Sequence, residues 1–165
     1  MSAGLNARLW IMRHGEAVPG HPDPQRELTA HGRDEVARVA DWLAVTLEPS
    51  QQAALRIAAS PYRRAGQTAN IVAERLAKPV ETLSLITPND PIEPVIDWLQ
   101  NEAQHVPWLL VGHMPLVGAL TARLVDGDPR GSLAMPTAAI AALQAEVWAA
   151  GCAQLAYFRH PGELA

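Results

Sequence analysis

Three short stretches of this chain set histidine or arginine at the end of an apolar run. Arg13-His14-Gly15 follows residues 8–12, Tyr62-Arg63-Arg64 follows residues 55–60 and a proline, and His113 follows residues 106–112. A buried strand gains nothing from a cation, an imidazole and a glycine. A site at a strand's end can use all three. Arginine is always charged, and its planar fork matches the oxygens of a phosphate two at a time. A neutral imidazole is a nucleophile able to carry a phosphoryl group. Cations around a transferred phosphoryl stabilise its equatorial oxygens, which is most of what phosphoryl transfer asks of a protein. Gly15 is expected to let the backbone come close to such a phosphate.

These stretches meet only if the chain brings the three ends together. "RLWIM" (8–12), "LRIAAS" (55–60) and "VPWLLVG" (106–112) read as buried strands, and "VETLSL" (80–85) as a short one. A helix is expected from Thr29, with Val36, Val39, Ala40, Leu43 and Leu47 on one face, ended by Glu48-Pro49-Ser50. Others are expected over 63–77, over 93–104 and after Pro115, with proline-rich loops at 20–27 and 87–94. "TAAIAALQAEV" (137–147) and "CAQLAYFRH" (152–160) read as strands around a turn at 149–151. Strands alternating with helices imply an α/β fold, here a three-layer α/β/α sandwich on a mostly parallel mixed sheet, closed by an antiparallel edge hairpin. In such sheets ligands bind beyond the carboxyl ends of the strands, where the three stretches fall. The length of 165 residues suits one domain over 1–165.

With these residues in view, the chain resembles the histidine phosphatase superfamily (phosphoglycerate mutase-like), and within it the short SixA-like phosphohistidine phosphatase branch. The resemblance rests on "IMRHGEA" (11–17), "RELTAHGRDE" (26–35), "ASPYRRAGQTA" (59–69), "LITPNDP" (85–91), "LLVGHMPLVG" (109–118) and "TAAIAAL" (137–143), in the family's order. It implies that His14 is the nucleophile, that Arg13 and Arg64 grip the phosphate, and that His113 completes the pocket. Arg64, not Arg63, takes the family's arginine slot. Arg26 matches an arginine of the branch and is expected to reach the phosphate. Ser60 is expected beside it as a hydrogen-bond donor.

The proton donor is open between Asp23, Asp90 and Glu93. Asp23 ranks first, because it matches an acidic position of the same branch. The segment between Arg64 and His113 leaves no room for the inserted lid of larger relatives. Expelling an alkoxide needs a strong acid, since even water has a pKa of about 15.7. Expelling imidazole is easier, because its conjugate acid sits at about 6.5. A small open site with a poorly placed acid therefore favours phosphohistidine on a signalling or phosphocarrier protein as substrate. A small phosphomonoester, such as a sugar or nucleotide phosphate, is the alternative. A phosphate-binding protein without catalysis is a third reading, and a mutase is disfavoured by the short chain.

Composition removes other classes. A formal net charge of -4 disfavours a nucleic-acid partner. No apolar run reaches the roughly 20 residues of a membrane span, and "MSAGLNARLW" carries no signal-peptide pattern. One cysteine, Cys152, excludes an internal disulfide and suits a cytoplasmic setting. No HExxH or CxxC pattern occurs, and arginines around His14 and His113 would repel a cation, so neither metal nor cofactor is expected. His21, His31, His105 and His160 read as surface or structural. The five tryptophans read as packing.

Overall fold

The computed structural model describes residues 7–164, so residues 1–6 of the stretch read for a leader lie outside it. Six strands form one sheet: β1 (Leu9–Arg13), β2 (Arg56–Ala59), β3 (Val80–Thr82), β4 (Trp108–Gly112), β5 (Ile140–Gln144) and β6 (Gln154–Arg159), in the order β3-β2-β4-β1-β5-β6. The first four are mutually parallel, and β5 runs antiparallel to both β1 and β6. The helices are α1 (Ala30–Thr46), α2 (Pro49–Ala54), α3 (Arg63–Leu76), α4 (Glu93–Glu102) and α5 (Leu116–Asp126).

Both faces of the sheet are apolar and buried, so its central strands read as unbroken hydrophobic runs rather than alternating ones. Strand pleating sends Trp10, Met12, Ile57, Leu109 and Val111 to one face, where Val36, Val39 and Leu43 of α1 and Ala69 and Val72 of α3 cover them. Leu9, Ile11, Trp108 and Leu110 point the other way, onto Val95 and Leu99 of α4 and Leu120 and Leu124 of α5. This is the expected three-layer α/β/α sandwich with a mixed sheet.

Some elements differ from the expectation. Pro49 ends the run of α1 but also opens α2, at whose start Glu48 and Gln51 form a reciprocal capping box. The strand read over 80–85 stops at Thr82 and gives way to a turn over Ser84–Ile86. The strand read over 137–147 narrows to Ile140–Gln144, because Ala138 takes a left-handed φ of 64° that breaks the extended run.

Register places the chemistry. Arg13 lies opposite Gly112, and Ala59 opposite Val111. The next residue of each strand therefore leaves the sheet on the same edge. His14 N–H still bonds to the Gly112 carbonyl at 3.0 Å, and Ser60 N–H to that of Val111 at 3.0 Å. His14, Ser60 and His113 are thus neighbours by backbone pairing alone.

Candidate active site

His14 is 7% exposed. Its Nδ1 is 2.6 Å from the Gly15 carbonyl oxygen. A carbonyl only accepts, so Nδ1 carries the ring proton and Nε2 keeps its lone pair. Arg64 Nε–H points at that Nε2 from 3.3 Å. Burial pushes the His14 pKa down to about 4, helped by the charges of Arg64, Arg13 and Arg26 and opposed by the bond to Gly15. The imidazole is therefore neutral at pH 7, with its lone pair on the side where the arginines gather.

Arg64 is 4% exposed and sits in the first turn of α3. Its Nη1 donates to the Asp23 carbonyl at 2.9 Å, and its Nη2 meets Asp23 Oδ2 at 3.3 Å. Arg26 donates from Nη1 to Asp23 Oδ1 at 2.9 Å and from Nε to the Val18 carbonyl at 2.7 Å. The loop carrying Asp23 and Arg26 thus folds onto α3, and Asp23 bridges two guanidinium groups. Its hydrogen bond from Arg26, with Arg64 beside it, holds the carboxyl below the usual carboxylate range. Arg13 donates from Nη1 to the Met135 carbonyl at 2.9 Å, and its Nε has no partner among the described residues. Burial and the neighbouring Arg64 lower its pKa.

His113 is 1% exposed, with its ring centroid 5.1 Å from that of His14. Burial pushes its pKa down to about 3, and His14, Arg64 and Arg13 add to the effect. Its Nε2 lies 2.7 Å from Ser60 Oγ, while its Nδ1 is buried without a partner among the described residues.

Arg13, His14, Arg26, Arg64, His113 and Asp23 therefore come together. Gly15 and Ser60 have further partners of their own. The Gly15 N–H donates to Thr68 Oγ1 at 3.0 Å. A Cβ there would come within 2.7 Å of Val36 Cγ2 and 3.0 Å of the Gly32 carbonyl, so glycine is required by the packing of α1. The Ser60 hydroxyl lies against His113 and accepts from Tyr62 N–H at 3.2 Å. Asp90 and Glu93 are engaged elsewhere. Asp90 Oδ2 accepts from Thr87 N–H and Oγ1–H at 2.8 and 2.6 Å, and Glu93 faces Arg123 at 3.9 Å.

Three contributors were missed by sequence reasoning. Buried Thr68 ties Gly15 to α3, donating in turn to the Arg64 carbonyl at 2.8 Å. Its place four residues after Arg64 on the inner face of α3 was the available signal. The Met135 carbonyl aims Arg13, and Gly118 lets the segment before it lie on α5, where a Cβ would come within 2.4 Å of the Leu133 carbonyl. No local pattern announces a backbone carbonyl more than a hundred residues away.

Among the described residues, no group of three or more His, Cys, Asp or Glu is placed to hold a metal ion, and no helix is long and apolar enough to cross a membrane.

Comparison with known proteins agrees with this geometry. Residues 9–87 match the model of the histidine phosphatase superfamily (branch 1). The chain is 36% identical over 130 residues to the phosphohistidine phosphatase SixA of Escherichia coli (strain K12), covering 73% of this chain and 76% of that protein. It is 36% identical over 124 residues to the SixA homolog of Haemophilus influenzae, covering 70% and 76%. A solved structure of the protein histidine phosphatase SixA complexed with tungstate superposes with a TM-score of 0.81 at 32% identity, covering 95% of this chain and 99% of that one. The chain belongs to the histidine phosphatase superfamily, in its SixA-like branch.

Proposed function

We propose that this protein is a single-domain, metal-independent phosphatase that removes phosphate from phosphohistidine on a signalling or phosphocarrier protein in the cytoplasm, through a covalent intermediate on His14. The observation that carries this reading is the neutral His14, its Nδ1–H anchored on Gly15 and its Nε2 lone pair facing Arg64. In the first step Nε2 attacks phosphorus in line with the leaving nitrogen. The bond from phosphorus to that nitrogen breaks, and its electron pair stays with the departing imidazole. Arg13, Arg26, Arg64 and His113 take the three equatorial oxygens. Water then attacks phosphorus on His14 and releases inorganic phosphate. The tetrahedral oxyanion tungstate in the related SixA structure supports the same kind of ligand here.

Asp23 supplies the proton in this scheme. Without substrate it is ionised, held by Arg26 and Arg64. A phosphate that draws both arginines away removes its cationic partners and puts an anion beside it. Both changes raise a carboxyl pKa. Asp23 protonates the leaving group, then takes a proton from the attacking water. A carboxyl that starts ionised has no proton ready to give, which an imidazole leaving group tolerates better than an alkoxide does, and this favours phosphohistidine over small phosphomonoesters.

The test is kcat/KM on a phosphohistidine-bearing protein and on a panel of sugar and nucleotide monoesters. Preference for phosphohistidine by at least about 100-fold is expected. Equal or better turnover of a monoester would move the assignment to that substrate.

A further inference from the structure

The two pocket histidines are held by different kinds of partner. The Gly15 carbonyl dictates the tautomer of His14. His113 faces a hydroxyl, which can give or take a proton. Ser60 Oγ lies 2.7 Å from His113 Nε2 and accepts from Tyr62 N–H, which can only donate. Among the described residues, His113 Nε2 is the one acceptor within reach of the hydroxyl proton. Ser60 is 2% exposed, so a hydroxyl turned away from His113 would leave that proton unpaired in the interior. We propose that Ser60 is a positioning residue that fixes His113 in the tautomer protonated on Nδ1, so that this nitrogen donates to an oxygen of the transferred phosphoryl group.

The geometry is consistent at every contact. Nδ1 lies across the imidazole from Nε2 and so points away from Ser60. It is buried and without a partner among the described residues, in a ring that neighbours His14. Tyr62 stands edge-on to His113 with ring centroids 5.1 Å apart and limits its rotation. The result is a complementary pair. His14 is protonated on Nδ1 and presents a lone pair to phosphorus, while His113 is protonated on Nδ1 and presents that proton to oxygen. With the proton on Nε2 of either ring instead, His14 could not attack, or His113 would set a lone pair against an anion. Burial keeps His113 neutral at pH 7, so there is a tautomer to fix.

The donor's use rests on the phosphatase reading, but the tautomer can be measured without it. Two-bond 1H–15N correlation on the 15N-labelled protein at pH 7 should show His113 protonated on Nδ1 and bare on Nε2. The opposite assignment overturns the proposal, whatever the activity. The Ser60→Ala variant should show mixed His113 tautomers and lose roughly tenfold in kcat, with a smaller change in KM. An unchanged tautomer in that variant also overturns it. His113→Asn keeps an N–H near the Nδ1 position without the bond to Ser60. Adding Ser60→Ala to His113→Asn should cost less than about twofold further. A full Ser60→Ala loss in that background would show that Ser60 does not act through His113. No turnover by the unmodified protein on any phosphorylated substrate would sink the phosphatase reading and leave the NMR test intact.

Discussion

At the scale of single residues, the site is a problem in charge. Three guanidinium groups surround two buried imidazoles, and one carboxylate, Asp23, sits among them. Both histidines are more acidic than an ordinary histidine, at about 4 for His14 and about 3 for His113, against 6.5. Above pH 6.5 they are neutral in the folded and the unfolded chain, and their effect on stability is at its plateau. As pH falls below 6.5, the unfolded chain takes up protons that the folded chain refuses, so stability is lost through that window down to the folded values. The melting temperature should therefore fall between pH 6.5 and pH 4.5, and fall less steeply in His14→Gln. A flat profile over that range would contradict neutral, buried histidines. Asp23 gives a second prediction. Asp23→Asn should slow turnover of an alkyl phosphomonoester by about 100-fold, at the low end for loss of a general acid. It should slow phosphohistidine turnover by only a few fold, because imidazole leaves without much help. Equal losses on both substrates, read as kcat/KM, would show that Asp23 is not the proton donor.

At the scale of elements, the strand ends do the positioning, and the helices fix how closely the loops approach. Glycine inside a helix normally costs stability, so Gly→Ala there usually gains about 0.5–1 kcal/mol, and Gly32 lies in the first turn of α1. Gly32 in α1 should do the reverse, because a Cβ there would stand 2.2 Å from the Glu16 carbonyl oxygen, just after the Arg13-His14-Gly15 turn. Gly32→Ala is expected to destabilise by about 1–3 kcal/mol in urea unfolding, the usual cost of overpacking. A gain in stability would mean that α1 does not press on that turn. The same level explains what could be read in the sequence. β1, β2 and β4 are unbroken apolar runs and α3 and α5 carry a helical apolar period, so their existence was legible, and so was the gathering of His14, Arg64 and His113 at one edge. α2 was not, because Pro49 is both a stop and a start signal and only the pairing of Glu48 with Gln51 decides between them. The contact of Ser60 with His113 was not legible either. It depends on which of two possible partners, phosphate or His113, the hydroxyl faces, and that is a matter of register between β2 and β4. The fold of the Asp23–Arg26 loop over Arg64 was likewise not legible, since its prolines allow a loop that turns either way.

At the scale of the whole molecule, charge is unevenly spread. The chain carries a formal net charge of -4, yet four arginines, Arg13, Arg26, Arg63 and Arg64, gather at one edge of the sheet against two carboxylates paired with them, Asp23 and Glu27. On the proposed function, such an edge would draw a phosphorylated partner against an overall negative field, and salt would screen the attraction, with a Debye length of about 8 Å at physiological ionic strength. Raising salt from 0.05 M to 0.5 M should lower kcat/KM on a phosphohistidine protein by roughly tenfold, mostly through KM. No salt response would put binding on uncharged contacts instead. The central claim, however, is that phosphate passes through His14, and one measurement reaches it directly. A phosphohistidine-bearing protein labelled at phosphorus is mixed with this protein, quenched in alkali, where phosphohistidine survives, and the label is mapped. Label on His14 of the unmodified protein, with none in His14→Ala, is the predicted result. Phosphate release by the unmodified protein with no label on His14 at any time point, and release undiminished in His14→Ala, would contradict it.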